Sequence, residues 1–398
     1  MRAHPLLPVL LLSLAACSSP QAHSSVTEEF SVELPPGELG LVPLPAGAPA
    51  PDYSIAWRER HLLMESIENS LGYLAAPSSH QFFPYGPISH RRMQASLERF
   101  YELLTTATSA EDFRKQVIEE FEVWMARGSA NSGEVLFTGY CRPLLHGAYE
   151  KGGPYQHPLY RLPNDLVKGA NGEILGRQGP SGAIVPYYTA GEIRNQGHLE
   201  GQELLWLDSA FDAYIAVVQG SAVVELPGGE RVEIGYAGNN GHPYVSVGKI
   251  LVDENKIPKD LLSLTKMKQY FRDHPGELGP ILDRNPRYVF FQESQGGPYG
   301  SLGQPVLPKR SVATDKDVFP RAGLIFCEVR LPEFSPSGDV LLQRPERFFT
   351  CDQDRGGAIR SAGRCDVFLG TGDRALARAG HVFAVGRLYY LFLKGLQS

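Results

Sequence analysis

Asp354-Arg-Gly-Gly-Ala-Ile359, followed by Asp366-Val-Phe-Leu-Gly-Thr-Gly372, is the stretch on which the reading of this chain turns. Two acidic residues stand beside runs of small residues that cannot wall off a carboxylate. Gly356, Gly357, Gly370 and Gly372 permit backbone angles with positive φ and the close approach of a ligand or a second strand. An acid on such a platform is placed for chemistry on a bulky polar substrate. The ordinary alternative is a Gly-rich turn whose Asp side chains cap backbone N–H groups. The rest of the chain decides between them.

Working outward, the flanking segments read as strands: Gly323 to Leu331, His381 to Leu393, and Arg287 to Gln292. Ala222–Leu226 and Arg231–Gly235 face each other across Pro227-Gly-Gly, a hairpin signal. Asp212 to Ser221 and Val135 to Tyr140 are further expected strands. Helices are expected nearer the N-terminus. His90 to Thr106 carries Met93, Leu97, Phe100, Leu103 and Leu104 on one stripe. Ser109 to Asp112 resembles a capping box, opening a second helix with Phe113, Val117, Ile118, Phe121 and Trp124 inward and Gly128 at its end. Two more helices are expected at Leu261–Arg272 and Glu277–Leu282. There is no regular βαβ alternation and no repeat, so the pattern is mainly β with helices early and mid-chain.

The N-terminus reads as an export signal. Met1-Arg2 is followed by an almost wholly apolar Leu6–Leu14, too short to span a bilayer as a mature helix. Leu14-Ala-Ala-Cys17 resembles a bacterial lipoprotein box, in which Cys17 is lipidated and anchors the chain by its acyl groups. Ser18 after that Cys favours the outer membrane. Residues 18–50, rich in Ser, Pro, Gly and Ala, read as a flexible tether. The body is ordinary in composition, 42% hydrophobic and 21% charged, with net charge −6 and no basic block; nucleic acid is therefore excluded as a partner. Cys141, Cys327, Cys351 and Cys365 remain. A bridge between Cys351 and Cys365 would brace the Gly-Gly segment, and free buried thiols are the alternative. Their spacing fits no zinc pattern.

Polar clusters recur at the ends of these elements: Tyr140 and Arg142, Gln219-Gly-Ser221, Tyr236-Ala-Gly-Asn-Asn-Gly-His-Pro-Tyr244, and Arg310-Ser311 with Asp315. Aromatic faces cover the apolar faces of sugar rings and amides bond their hydroxyls, so these suit a saccharide groove. No Gly-x-Ser-x-Gly elbow, His-Glu-x-x-His, Walker loop or Gly-x-Gly-x-x-Gly fingerprint occurs. His242 is a lone loop His, read as a hydrogen-bonding residue and not a metal ligand.

Taken in order, the clusters resemble the membrane-bound lytic murein transglycosylase A (MltA) family. The segments are Phe137-Thr-Gly-Tyr140, Tyr160-Arg-Leu-Pro163, Val218–Ser221, Tyr236–Tyr244 with Gly248-Lys249, Asn285-Pro286 with Phe290-Phe291, Arg310-Ser311 with Asp315, Asp354–Ile359, Asp366–Gly370 and Ala379-Gly380. The resemblance implies a double-psi β-barrel from residues 51–142 and 296–398, with a smaller β-domain, 143–295, inserted. The glycan would lie in the groove between them. Asp315, Asp354 and Asp366 look like the three aspartates that name the family's 3D region.

By the same resemblance Asp366 is the single catalytic acid. Asp354, Asp315, Gln219, Ser221, Tyr236, Asn240, His242, Tyr140 and Arg310 are implied to bind or support the sugar. No cofactor or metal is implied. The implied partners are peptidoglycan glycan strands, the outer membrane through the lipid anchor, and cell-wall enzyme complexes. Cys141 departs from the pattern, standing where a second Tyr is common, and Arg364 beside Asp366 is expected to point to solvent. A two-carboxylate peptidoglycan hydrolase and a non-catalytic wall-binding lipoprotein are the competing readings.

Overall fold

The computed structural model describes residues 29–396, apart from 46, 170–172, 335–339 and 358. The signal segment, Cys17 and the first part of the expected tether lie outside the described residues.

The C-terminal half closes on itself. Strands Phe383–Leu393, Leu324–Phe334, Val340–Asp354, Ser311–Ala313, Arg364–Thr371 and Val135–Arg142 pair in that order, and Val135–Arg142 pairs back to Phe383–Leu393. The six strands therefore make a closed barrel, a double-psi fold in a mainly β protein. Closure removes the exposed edges that an open sheet would present. Two of its contacts are parallel, Ser311–Ala313 with Val340–Asp354 and Arg364–Thr371 with Val135–Arg142. Parallel neighbours need long connections. The connection from Val135–Arg142 to Arg364–Thr371 includes an excursion that leaves the barrel after Arg142 and returns before Ser311.

That excursion builds a second sheet of six strands, Val289–Ser294, Arg231–Asn239, Ala222–Glu225, Leu144–Ala148, Glu203–Leu207 and His157–Tyr160 in spatial order. The expected hairpin is there, with Ala222 opposite Ile234 and Val224 opposite Val232. The sheet has its own core around Leu205, Ala216, Phe290 and Phe291. A third apolar cluster gathers the helices Val247–Asp253, Leu264–Asp273 and Pro275–Leu282. Leu376, half-buried, packs against both that cluster and the barrel core, so the two bodies are in contact there.

The helix His90–Thr106 is as expected, with Ser89 accepting from Arg92 N–H at its start. Four readings differ. Helix Ala110–Glu120 stops before Phe121, and Phe121–Ala126 is a strand pairing with Tyr389–Leu393. Phe121 and Trp124 are buried as expected, but from a strand. Asp112 reaches back to Thr108 N–H and not to that of Ser109, so the capping box is incomplete.

Ala210–Gln219 is a helix, where a strand was expected. Its β-branched residues mislead, while its end signals do not. Ser209 caps the first turn, Asp212 sits in it, and Gly220 takes the left-handed conformation (φ +76°) after the last. Ala216 and Val217 face the sheet core and Phe211, Tyr214 and Ile215 the helical cluster, so burial on two sides erases its amphipathic pattern.

Within the span expected as tether, Leu41–Pro43 is an edge strand paired with Trp124–Ala126, and Leu41 is buried. Pro43 is tolerated because an edge strand leaves one row of groups unpaired. Finally, Cys141, Cys327, Cys351 and Cys365 are all free and buried. Cys351 pairs with Ser311, and the Cys365 strand lies on that strand's other side. Two strand spacings, about 10 Å, exceed the Cα separation a disulfide can span.

Candidate active site

One short strand sets the geometry. Ala313 is opposite Asp354 on one side and Asp366 on the other, and Asp366 is in turn opposite Thr138. The two acids and Thr138 thus form one row across the barrel wall. With strands about 4.8 Å apart, the Cα atoms of Asp354 and Asp366 are separated by about 10 Å.

Asp366 is half-buried, and its Oδ1 is shielded from water without a hydrogen-bond partner. Burial pushes its pKa up from 3.8 to about 6, against the opposing pull of the Arg364 cation and the Thr138 hydroxyl. The Asp354 charge adds to the rise. Arg364 does not point to solvent, as the sequence reading had it. It is buried, its Nη2 3.3 Å from Thr138 Oγ1 and its Nη1 3.4 Å from Ser31 Oγ. The extended strand packs Arg364 against the neighbouring Thr138, a side chain the sequence offered no role for. Burial outweighs the guanidinium, which is why the net shift of Asp366 is still upward.

Asp354 is held differently. Its Oδ1 accepts from the N–H groups of Ser301 and Arg355, each at 2.8 Å. Burial raises its pKa and these two donors oppose the rise. Tyr140 stands by both acids, its ring 5.1 Å from that of Phe368, and burial raises its pKa well above the usual value. Its shielded hydroxyl makes no well-aligned hydrogen bond. The wall therefore presents one uncommitted carboxyl oxygen, Asp366 Oδ1, with the Tyr140 hydroxyl turned to Asp354. Unpaired polar atoms in a folded interior are costly, and Asp366 Oδ1 is a carboxylate oxygen left in that state.

The glycines act as expected only in part. Gly370 and Gly372 take positive φ (+104° and +89°). Gly356 and Gly357 do not. They serve close approach: a Cβ on Gly356 would lie 2.7 Å from Ile359 Cγ1, and one on Gly357 3.3 Å from the Arg287 guanidinium carbon.

The remaining predicted residues divide. Asp315 is buried, with Oδ1 accepting from Asp317 N–H (3.1 Å) and Oδ2 from Ser361 N–H (2.8 Å). It fixes the return of the loop between the two acids, at a Ser361 with φ of +99°. Arg310 turns the other way, donating to Phe349 O and to the carboxylate of Glu59 in the N-terminal region. Asn240 is buried and spent on backbone groups: its amide donates to Tyr188 O and Pro286 O and accepts from Tyr288 N–H. It builds the loop, and both its amide protons are committed there.

Gln219 bridges the two bodies. Its Oε1 accepts from Cys141 N–H at 3.1 Å, next to Tyr140. Ser221, half-buried, follows it into the second sheet. Tyr236 is 51% exposed and accepts from the amide of Asn239 at 2.6 Å. His242 Nε2 pairs with Tyr187 O at 2.8 Å, the hydrogen-bonding role expected. Arg287, which the sequence reading passed over as part of a strand, donates to His242 O and lies along Gly357. A second link, Arg142 to Glu233 at 3.0 Å, holds the exit strand of the barrel to the second sheet. Acids thus stand on the barrel side, with Tyr236, His242 and Arg287 on the other.

One cavity of about 770 Å³ lies apart from this row, lined by His80, His90 and Glu98. Among the described residues no group of three His, Cys, Asp or Glu could hold a metal ion, and no helix is long and apolar enough to cross a membrane.

Comparison with known proteins converges on one family. Residues 136–292 match the MltA specific insert domain and residues 310–392 the 3D domain. Membrane-bound lytic murein transglycosylase A of Escherichia coli K12 is 30% identical over 274 residues, 68% of this chain and 69% of the relative. The protein of that name from Vibrio cholerae is 31% identical over 272 residues, 67% and 68% of the two chains. Among solved structures, a membrane-bound lytic murein transglycosylase from Agrobacterium tumefaciens superposes with TM-score 0.72 at 23% identity, covering 89% of this chain and 98% of that one. Escherichia coli MltA with bound chitohexaose has TM-score 0.64 at 24% identity, covering 91% and 96%. The chain belongs to the membrane-bound lytic murein transglycosylase A family.

Proposed function

We propose that this protein cleaves the β-1,4 bond between N-acetylmuramic acid and N-acetylglucosamine in peptidoglycan and leaves 1,6-anhydromuramoyl ends, with Asp366 as its single acid and then base. The observation that carries the reading is the Asp366 carboxyl, half-buried, with Oδ1 unpartnered and a pKa of about 6. With that pKa about a tenth of the groups hold a proton at pH 7, against less than about a thousandth at the ordinary carboxylate value. A general acid must carry its proton where the enzyme works.

Asp366 donates that proton to the glycosidic oxygen as the bond to C1 breaks. The muramoyl ring passes through an oxocarbenium-like state. Asp366, now ionised, takes the proton of the ring's own 6-hydroxyl as that oxygen attacks C1. Protons and charge balance with no water consumed. An internal nucleophile needs no second carboxylate to activate it and has the advantage of proximity. Asp354, oriented by two backbone donors, faces the sugar beside Asp366, and its carboxylate form favours the cationic state. Tyr140, Gln219, Ser221, Tyr236 and His242 position the glycan, and Asp315, Asn240 and Arg310 support the loops and barrel behind them. The relatives named as murein transglycosylases, and the chitohexaose in one structural neighbour, support a glycan in this groove.

The same reading places the protein on the outer membrane, lipid-anchored through Cys17 and facing the periplasm, with residues 143–295 as the inserted domain. Purified murein sacculi treated with wild type and Asp366→Asn, followed by mass spectrometry of the soluble fragments, test it. Anhydromuropeptides from wild type alone are expected. Reducing ends would favour a hydrolase pairing Asp366 with Asp354, and sacculi bound without cleavage a wall-binding protein.

A further inference from the structure

Gly357, in the loop that joins the two acidic strands, packs against Arg287, just ahead of the second-sheet strand Val289–Ser294. Arg287 lies so close that a Cβ on Gly357 would stand 3.3 Å from the guanidinium carbon. Donation of Arg287 Nη1 to His242 O, at 3.1 Å, fixes that side chain. Arg355 opens the same loop, its backbone N–H bound to Asp354 Oδ1 and the residue exposed. Arg360 closes it, 3.3 Å from Asp317 Oδ2 and 3.9 Å from Asp315 Oδ1. Among the described residues Arg360 alone of the three enters an ion pair. Burial lowers the Arg287 pKa, and the neighbouring Arg360 and Arg355 cations lower it further, against the influence of Tyr236. In a chain of net charge −6, the Arg287 and Arg355 guanidinium groups, neither in an ion pair among the described residues, act on each other across the loop that joins the two acidic strands. Such a cluster is self-repelling until an anion joins it.

Neutral sugar rings supply no anion. A muramoyl residue does: its lactyl carboxyl is either free or extended by a peptide that carries carboxylates of its own. A guanidinium fork matches a carboxylate in two parallel hydrogen bonds. We propose that Arg287 and Arg355 form a carboxylate-binding subsite for the lactyl or peptide carboxylate of a muramoyl residue held beside Asp366. The subsite rests on the transglycosylase reading above and adds to it the charge of the substrate recognised. It selects muramoyl glycan over uncharged glycan of the same length.

The test uses the full-length Asp366→Asn protein as a binding background, with Arg355→Gln and Arg287→Gln added separately. Calorimetry measures binding to chitohexaose, to a murein tetrasaccharide with intact peptides, to the same glycan stripped to free lactyl groups, and to the intact form with its carboxyls amidated. Each Arg variant is expected to bind the carboxylated glycan about tenfold more weakly and chitohexaose unchanged. A loss that persists on the stripped glycan assigns the lactyl carboxylate. A loss confined to the intact glycan, and abolished by amidation, assigns the peptide. Equal weakening toward chitohexaose, or no weakening toward either, overturns the subsite. Arg355→Gln removes an exposed side chain that makes no hydrogen bond or ion pair among the described residues, so its result stands even where Arg287→Gln unfolds. If Asp366→Asn alone binds none of the four glycans, the groove reading fails and the subsite with it.

Discussion

Asp352 and Asp366 lie on strands of one barrel, fourteen positions apart, and their surroundings are opposites. The carboxylate of Asp352 is fully enclosed but fully partnered. It meets the Lys316 ammonium, the Thr314 hydroxyl at 2.7 Å and the Tyr390 hydroxyl at 2.6 Å. Lys316 is as deeply enclosed and also donates to Thr314. Asp366 is less enclosed, yet one of its oxygens has no partner at all. Burial with partners makes a structural pin. Burial without them leaves a carboxyl that holds its proton. The difference shows why depth alone does not identify a reactive acid, and why satisfaction of the carboxyl oxygens does.

The comparison is broken most decisively by exchanging each acid for its amide. Asp366→Asn is expected to lower kcat by about a thousandfold or more while the protein remains folded. Muropeptide release per folded molecule, with circular dichroism as control, measures this. Asp352→Asn should do the reverse. It strands the Lys316 ammonium in the barrel and costs about 3–5 kcal/mol of stability, read from urea unfolding, with activity per folded molecule retained. If Asp352→Asn abolishes turnover in protein that is still fully folded, the division between pin and acid is wrong.

The second test is in pH. Asp366 has a folded-state pKa of about 6 against 3.8 as the ordinary value. The folded state therefore holds the proton more tightly than the unfolded chain. That contribution is full below about pH 4 and is lost as pH rises through about 6. Asp366→Asn carries no such dependence. It should be more stable than wild type at pH 7 by up to about 2 kcal/mol and by much less at pH 4. Equal stability differences at the two pH values would mean that Asp366 is not raised. The same acid predicts a kcat/KM that declines as pH rises above about 6.

Thr138→Val sharpens the picture on a smaller scale. The hydroxyl favours the ionised form of Asp366, so its removal should move that decline to higher pH, by about half a unit. A shift to lower pH would place Thr138 on the side of the protonated acid. The smallest effect concerns the thiols. With all four buried and unbridged, a reductant should leave the melting temperature within about 1 °C, and alkylation of denatured, unreduced protein should label each one.

Much of this was legible in advance because it is local. The hairpin at Pro227-Gly-Gly, the stripe of His90–Thr106, and two acids beside glycines are patterns of neighbouring residues, governed by backbone sterics and periodicity. Ala210–Gln219 was misread because burial on two sides hid its period, although its Ser209 cap and Gly220 stop were in plain view. Arg287 and Thr138 were passed over because nothing in their neighbours along the chain marks them. Their importance comes from Gly357 and Asp366, far away in sequence.

The family, the mainly β class and the acid on which the chemistry is proposed to turn can all be read along the chain. These follow from residue identity and order, to which short-range geometry responds directly. Which acids are pinned and which is free depends on how the barrel closes. Asp315, Asp352, Asp354 and Asp366 look alike as letters. Their difference is the set of donors that barrel closure brings to each: backbone N–H groups for Asp315 and Asp354, a lysine and two hydroxyls for Asp352, and for one oxygen of Asp366 none. Those donors come from distant parts of the chain, and proton affinity is set by what surrounds a carboxyl in space.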